Sequence, residues 1–315
     1  MMSNIEKAVE ELKKVNEVVI LTHANPDGDT LGCGFALMRA LKSQGKRVML
    51  LNEDKIGAKF GYMLCPNDEV DVKNAYVIAV DVADTKLLGK DTENVFDGKI
   101  QLCIDHHGTN KNYANATILD ASCSAACELM YKFIKAMGVE IDKEIADCLY
   151  TGISTDSGCF RYSNVTAETH RIAAELIALG ADHAEINRIM FETKTREELE
   201  LEKLCLEGMT YYCDGKVALI ALTQEMYKKS GADESFADAI TSIPRQVAGA
   251  KIGITLKEKC ENVYKISVRT HEPYDASQIC GKLGGGGHTR AAGCRVEGSL
   301  EEVKNTIIET VKLFI

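Results

Sequence analysis

Three stretches of this 315-residue chain end an apolar run on side chains that bind cations or move protons. Val18-Val19-Ile20-Leu21-Thr22 leads into His23-Ala24-Asn25-Pro26-Asp27-Gly28-Asp29. Ala75-Tyr76-Val77-Ile78-Ala79-Val80 leads into Asp81, and Ile100-Gln101-Leu102-Cys103-Ile104 leads into Asp105-His106-His107. A further carboxylate, Asp156, stands in Gly152-Ile153-Ser154-Thr155-Asp156-Ser157-Gly158. Four carboxylates and two or more imidazoles gathered without compensation repel one another and are costly to desolvate, whereas divalent cations turn the same arrangement into a binding site. The expected chemistry is that of a metal cluster with oxygen and imidazole ligands, which suit manganese or magnesium better than structural zinc. Any one of these aspartates alone reads as a helix cap or turn former. The agreement of several strand ends, and the placing there of three of the chain's seven histidines, argues for ligands.

The elements that must position these residues follow from the pattern. Continuous, β-branched apolar runs suit strands buried on both faces of a parallel sheet, with Arg47 to Asn52 as another. Helical spacing over Leu31 to Gln44, Cys123 to Met137 and Glu144 to Ser154 alternates with them, which predicts a doubly wound, mainly parallel α/β domain. In such sheets ligands bind beyond the carboxyl ends of the strands, where the aspartates and histidines fall. Glu192 to Lys203 reads as a connecting helix. Strands are expected over Lys216 to Leu222, Lys251 to Leu256 and Val263 to Val268, and helices over Ala276 to Leu283 and Leu300 to Leu313, giving a smaller α+β domain. The expected boundaries are 1–185, a linker helix 186–205, and 206–315, with the active site in the interdomain cleft.

Composition narrows the function classes. Hydrophobic residues make up 45% and charged residues 27% of the chain, as in soluble globular proteins. The net charge of -10 lies wholly in residues 1–205, with 23 basic and 33 acidic residues, which argues against coating long nucleic acid but not against a small phosphorylated ligand. No apolar run approaches the roughly 20 residues of a membrane span, and no signal-peptide pattern opens the chain, so a cytoplasmic protein without membrane association is expected. The twelve cysteines contain no Cys-x-x-Cys pair. Cys123 and Cys127 read as neighbours on one helix face, and buried reduced thiols are expected throughout.

Gly284-Gly285-Gly286-Gly287 followed by His288-Thr289-Arg290 is not a P-loop, because the Gly-Lys-Ser/Thr ending is absent. Four glycines leave backbone N–H groups open to an anion, and a helix opening at Arg290 to Ala292 would add its positive end. Arg161, Tyr162 and Asn164 read equally as cleft lining or as an exposed hairpin. His170, His183 and His271 read as surface or helix residues.

Taken together, the first loop (His23 to Asp29), Asp81, Asp105-His106-His107 and Thr155-Asp156-Ser157-Gly158 resemble, in order and spacing, the four motifs of the DHH phosphoesterases. Ser267-Val268-Arg269-Thr270 with Gly284 to Gly293 resembles the signature of the first type of DHH-associated domain. Two departures are visible: Cys33 follows Gly32 where a serine is common, and Thr270 replaces a serine after the arginine. The resemblance implies two Mn²⁺ ions, with Mg²⁺ or Co²⁺ as substitutes. His23 and Asp27 would hold one, Asp29, His106 and Asp156 the other, and Asp81 would bridge. Asp105 would orient the neighbouring imidazoles, and His107 would act as phosphate contact or general acid. Arg269, Gly285, Gly286, Gly287 and His288 would grip a terminal phosphate or nucleotide.

The activity so implied is two-metal hydrolysis of short oligonucleotides (nanoRNA, pApA-type dinucleotides), as in a 3′-5′ oligoribonuclease, or removal of the 3′-phosphate of pAp. Cyclic dinucleotide hydrolysis and a catalytically silent nucleotide-binding sensor are the rivals, and a homodimer is left open.

Overall fold

The computed structural model describes residues 4–232, 234–236 and 240–315. Contacts divide the chain into two compact units, Met1–Thr193 and Lys194–Ile315.

In the first unit, β1 (Glu17–Leu21), β2 (Arg47–Leu51), β3 (Tyr76–Val80), β4 (Leu102–Asp105) and β5 (Ala116–Leu119) form one sheet in the order β2-β1-β3-β4-β5. Every pairing is parallel, which sharpens the expected "mainly parallel" sheet. Successive strand residues point to opposite faces. Val18 and Ile20 enter a core with α1 (Asn4–Leu12), α2 (Gly28–Ser43), α4 (Ala126–Ala136), α5 (Lys143–Asp156) and α6 (Ala167–Ala178). Val19 and Leu21 enter a smaller core that includes Leu88 and, from α3 (Lys90–Phe96), Phe96. Burial on both faces is why the strands are unbroken apolar runs. The strand order reverses direction between β1 and β3, so the crevice at their carboxyl ends is the switch point where such sheets bind ligands.

After α6 come α7 (His183–Asn187) and a single π-helical turn, Arg188–Glu192. The charged helix expected over Glu192 to Lys203 is instead α8 (Arg196–Glu207), opened by a Thr195–Glu198 capping box. It buries Leu201 and Cys205 against Ile220 and Leu222, and so is an integral layer of the second unit. That unit contains β6 (Thr210–Tyr212), β7 (Val217–Leu222), α9 (Gln224–Ser230), β8 (Ile252–Cys260), β9 (Val263–Thr270), α10 (Ala276–Gly281), β10 (Gly286–His288), β11 (Ala291–Glu297) and α11 (Leu300–Lys312). Its sheet order is β10-β11-β9-β8-β7-β6, with only β7 and β8 parallel. The helix expected to open at Arg290 is a strand. β11 pairs with β9 over seven residues, and its apolar Ala292, Cys294 and Val296 alternate with residues facing the other way. No helix among the described residues is long and apolar enough to cross a membrane.

Candidate metal centre

The histidines and aspartates singled out in the first unit converge beyond β1, β3 and β4. His23 follows β1, and its carbonyl accepts from Asn52 Nδ2 at 2.7 Å. Its N–H contacts Thr30 Oγ1, which in turn donates to the Val80 carbonyl at the end of β3. Asp27 caps α2, with Oδ1 accepting from the N–H groups of Asp29 and Thr30 at 3.0 and 3.1 Å. Asp29, the second residue of the same helix, accepts from the N–H groups of Ala126 and Cys127 at 2.6 and 2.9 Å, thereby closing the N-terminus of α4. Cap and candidate ligand are therefore one and the same side chain, because a carboxylate has lone pairs enough for both.

Helix approach brings Asp29 to Asp156. A Cβ on Gly28 would fall 2.4 Å from Thr155 Oγ1, and one on Gly32 2.4 Å from the Cys148 carbonyl. On Gly152 it would fall 2.2 Å from Cys127 Sγ and 2.6 Å from Asp29 Oδ1. Three glycines thus set the spacing of α2, α4 and α5. We expect Gly152→Ala to cost about 1–3 kcal/mol by overpacking and to weaken divalent-cation binding by displacing Asp29. An unchanged thermal midpoint with unchanged cation titration would contradict this.

All three imidazoles have Nδ1 engaged. His23 Nδ1 donates to the Ala24 carbonyl at 2.9 Å and His106 Nδ1 to the Cys123 carbonyl at 3.2 Å. A carbonyl can only accept, so Nε2 is the nitrogen each presents to the carboxylates. His23 Nε2 lies 3.6 Å from Asp27 Oδ1 and 3.7 Å from Asp81 Oδ2. His106 Nε2 lies 3.8 Å from Asp29 Oδ2, 3.6 Å from Asp81 Oδ1 and 3.4 Å from Asp156 Oδ2. His107 differs: its Nδ1 donates to Asp105 Oδ1 at 2.8 Å. That nitrogen, also the one facing Asp81 at 3.5 Å, is therefore spent. The geometry divides the groups into His23, Asp27 and Asp81 on one side and Asp29, His106 and Asp156 on the other, the potential donor atoms of each lying within 4.8 Å of one another. Asp81 turns one oxygen to each.

Asp81 is 3% exposed, yet its Oδ1 has no hydrogen-bond partner among the described residues. Its backbone is left-handed, φ 57°, a conformation that an aspartate at a functional strand end tolerates but does not favour. Burial and the charge of Asp29 push its carboxyl well above the usual range. Burial, Asp29, Asp81 and Asp27 push Asp156 up to about 9, and burial raises Asp29. Burial works against the proton on His23, but Asp27 and Asp81 outweigh it and hold the imidazole near 11. Burial likewise pushes Asp27 upward, and His23 overcomes it to keep that carboxyl below the usual range. Oxygen and nitrogen ligands about 2.1 Å from one cation stand about 3.0–3.6 Å apart at angles of 90–120°. The donor set, its spacing and the orphaned Asp81 oxygen all fit divalent cations.

Asp105 is fully buried and orients one imidazole rather than both. Oδ1 accepts from His107 Nδ1 and from the N–H of His106, and Oδ2 accepts from Asn110 Nδ2 at 2.6 Å. His106 is set instead by the Cys123 carbonyl, and Cys123 precedes α4 rather than sharing a helix face with Cys127. Sequence reasoning missed Thr30, Asn52 and Asn110. Of these only Asn110, three residues beyond His107, had a signal, since its amide suits a turn that returns to Asp105. Cys33, in the serine position, is buried with Sγ 3.4 Å from Cys127 Sγ beneath Asp29.

In the second unit, register places His288, Ala291 and Arg269 in one row across β10, β11 and β9. Cross-strand partners share a face, so Arg269 and His288 flank Ala291. Gly285 and Gly287 are required by this pairing: a Cβ would fall 2.2 Å from the Gly293 carbonyl and 2.6 Å from the Ala291 carbonyl respectively. The N–H groups of Gly284 and Gly285 are taken by the Gly281 and Cys280 carbonyls, so the open cradle expected there reduces to the outer edge of β10. Thr270 Oγ1 donates to the Thr289 carbonyl and holds the intervening turn to β9. His170, His183 and His271 stand apart from the centre, on α6, at the start of α7 and after β9.

Comparison with known proteins agrees with this anatomy. The family model described as the DHH family, N-terminal domain, matches residues 17–153, and the DHHA1 domain matches residues 215–315. The bifunctional oligoribonuclease and PAP phosphatase NrnA of Thermus thermophilus is 31% identical, over 99% of this chain and 93% of its own length. The protein of that name from Bacillus subtilis is 24% identical over 89% of each. The crystal structure of an exopolyphosphatase-related protein from Bacteroides fragilis covers 98% of this chain and 95% of its own at 25% identity, with a TM-score of 0.88. With five of its six candidate ligands, all but Asp156, inside the first match and a relative aligned over nearly its whole length, this chain belongs to the DHH family of metal-dependent phosphoesterases and carries a DHHA1 domain after the DHH domain.

Proposed function

We propose that the protein hydrolyses short oligonucleotides, two to about five nucleotides long, and the 3′-phosphate of pAp, using two Mn²⁺ ions. The observation that carries this reading is Asp81, buried, left-handed and orphaned at Oδ1, with its two oxygens facing two separate imidazole–carboxylate groups. Paired cations there supply Lewis-acid polarisation of a phosphoryl group and of water. Asp81 would be shared between the cations, His23 and Asp27 would complete one set, and Asp29, His106 and Asp156 the other. The Ala24 and Cys123 carbonyls fix the ligating tautomer of each histidine. His107, raised to about 9 in the cation-free protein chiefly by Asp105, has Nδ1 held on that carboxylate and presents Nε2 to a phosphate oxygen or the leaving oxygen. Asp105 and Asn110 keep that imidazole in place. Arg269 and His288 in the DHHA1 domain are assigned to a substrate phosphate, beside the outer edge of β10.

The curated relatives named for oligoribonuclease and PAP phosphatase activity support the substrate class. The net charge of -10 supports short substrates over long ones. The cysteines are all free thiols, which supports a reducing, cytoplasmic setting. The test is a panel of pAp, pApA, cyclic di-AMP, a 5-mer, a 24-mer and pyrophosphate with Mn²⁺ after chelation. Turnover of pAp, pApA and the 5-mer well above the rest is expected. Preference for the 24-mer, pyrophosphate or cyclic di-AMP would overturn the assignment.

A further inference from the structure

The segment after Asp156 has a backbone that neither the ligand set nor the core explains. Gly158, Cys159 and Phe160 lie consecutively in the left-handed region, at φ 59°, 57° and 61°, which is unfavourable for the two residues with side chains. Its surroundings hold it there. Buried Ser157 donates to the Ile153 carbonyl at 2.6 Å and accepts from the Phe160 N–H at 3.0 Å. The Phe160 ring stacks on His170 with centroids 5.3 Å apart. Asn164 Nδ2 donates to the Ser124 carbonyl and to the carbonyl of Asp156 itself. The segment is a series of turns, not a hairpin.

What this anchoring presents is Arg161 and Tyr162. Tyr162 is 48% exposed, and its ring covers Gly158, where a Cβ would fall 2.3 Å from a ring carbon. Arg161 is exposed, with Nε donating to the Gly158 carbonyl at 2.6 Å. A guanidinium and a tyrosine ring are thus held five and six residues beyond Asp156, a candidate metal ligand, by a strained loop anchored through Ser157, Phe160 and Asn164. We propose that Tyr162, which follows Arg161 and covers Gly158, is a base-stacking platform that selects phosphoesters bearing a nucleobase. Every base offers a π-face, so such a platform favours nucleotides over other phosphoesters without choosing among sequences.

This inference rests on the phosphoesterase reading above. The test compares pAp with its abasic analogue, 1-deoxyribose 3,5-bisphosphate, using the full chain with Mn²⁺. Tyr162→Ala is expected to lower the ratio of kcat/KM for pAp over the abasic compound about tenfold, through KM rather than kcat. Tyr162→Phe is expected to restore the ratio to within about twofold, since its ring stacks alike. An unchanged ratio in Tyr162→Ala, or loss of the ratio in Tyr162→Phe as well, would overturn the platform alone. Wild-type protein that turns over neither compound nor any short RNA would overturn the phosphoesterase reading, and the platform with it.

Discussion

Asp81→Asn is expected to remove turnover by about 1000-fold or more at saturating Mn²⁺ while making the chelated protein more stable than wild type. The loss follows from the shared position proposed for it, one oxygen toward each group: an amide binds a divalent cation weakly, and stabilisation of several kcal/mol by the cations corresponds to about three powers of ten in rate. The gain follows from what the aspartate costs without a cation. It is buried beside Asp29, one of its oxygens lacks a partner, and its carboxyl is pushed far upward. Asparagine keeps the shape and tolerates the left-handed backbone as well as aspartate does. It removes a buried carboxyl that the fold must keep protonated at a cost, so a rise of about 1 kcal/mol, or roughly 2–4 °C, is expected. Turnover within tenfold of wild type would remove Asp81 from the shared position. Loss of turnover together with loss of thermal stability would mark a folding lesion instead. Activity and stability moving in opposite directions is the mark of a residue kept for function.

Much of this centre was legible because chemistry and topology agreed. A parallel strand buried on both faces must be an apolar run, so its end is visible in the sequence, and His23, Asp81 and Asp105 stand at or just past such ends. The first four strands and the three helices that carry or contact the ligands were placed within a few residues for the same reason. What escaped was fixed by tertiary contact. The Cys123 carbonyl that orients His106 is a backbone group, with no residue type to announce it. β5 is a four-residue edge strand with one buried side chain, too short to show alternation. β10 is two glycines and a histidine, residues without strand preference, and exists because β11 offers a ladder whose close approach at position 287 only glycine permits. That same ladder made Ala291 onward a strand where local propensity favoured a helix.

The chelated protein should lose stability as pH rises from about 5 to about 9, and Mn²⁺ should restore more of it at pH 8 than at pH 5.5. Asp29 and Asp81 are raised, Asp156 lies near 9, His107 near 9 and His23 near 11. Each therefore binds its proton more tightly folded than unfolded. Its contribution is complete below the unfolded value, about 4 for an aspartate and about 6.5 for a histidine, and is lost as pH climbs through the folded one. Asp27 and Asp105 are held low, so their contribution vanishes only as pH falls below about 4, outside this window. All five raised groups thus act with one sign, with a ceiling of about 1.4 kcal/mol per proton per pH unit. Asp156, a third exposed, falls short of that ceiling through solvent screening. Cations replace the protons on His23, Asp29, Asp81 and Asp156, so they compete poorly at low pH and well at high pH. At 100 times its dissociation constant one Mn²⁺ adds about 2.7 kcal/mol, roughly 5–10 °C in a domain of this size. Thermal scans with and without chelator across the range would decide the matter. A chelated midpoint that rises from pH 5.5 to 8, or a larger Mn²⁺ shift at 5.5, would mean that the carboxylates do not repel one another in the folded chain and that the cation site lies elsewhere.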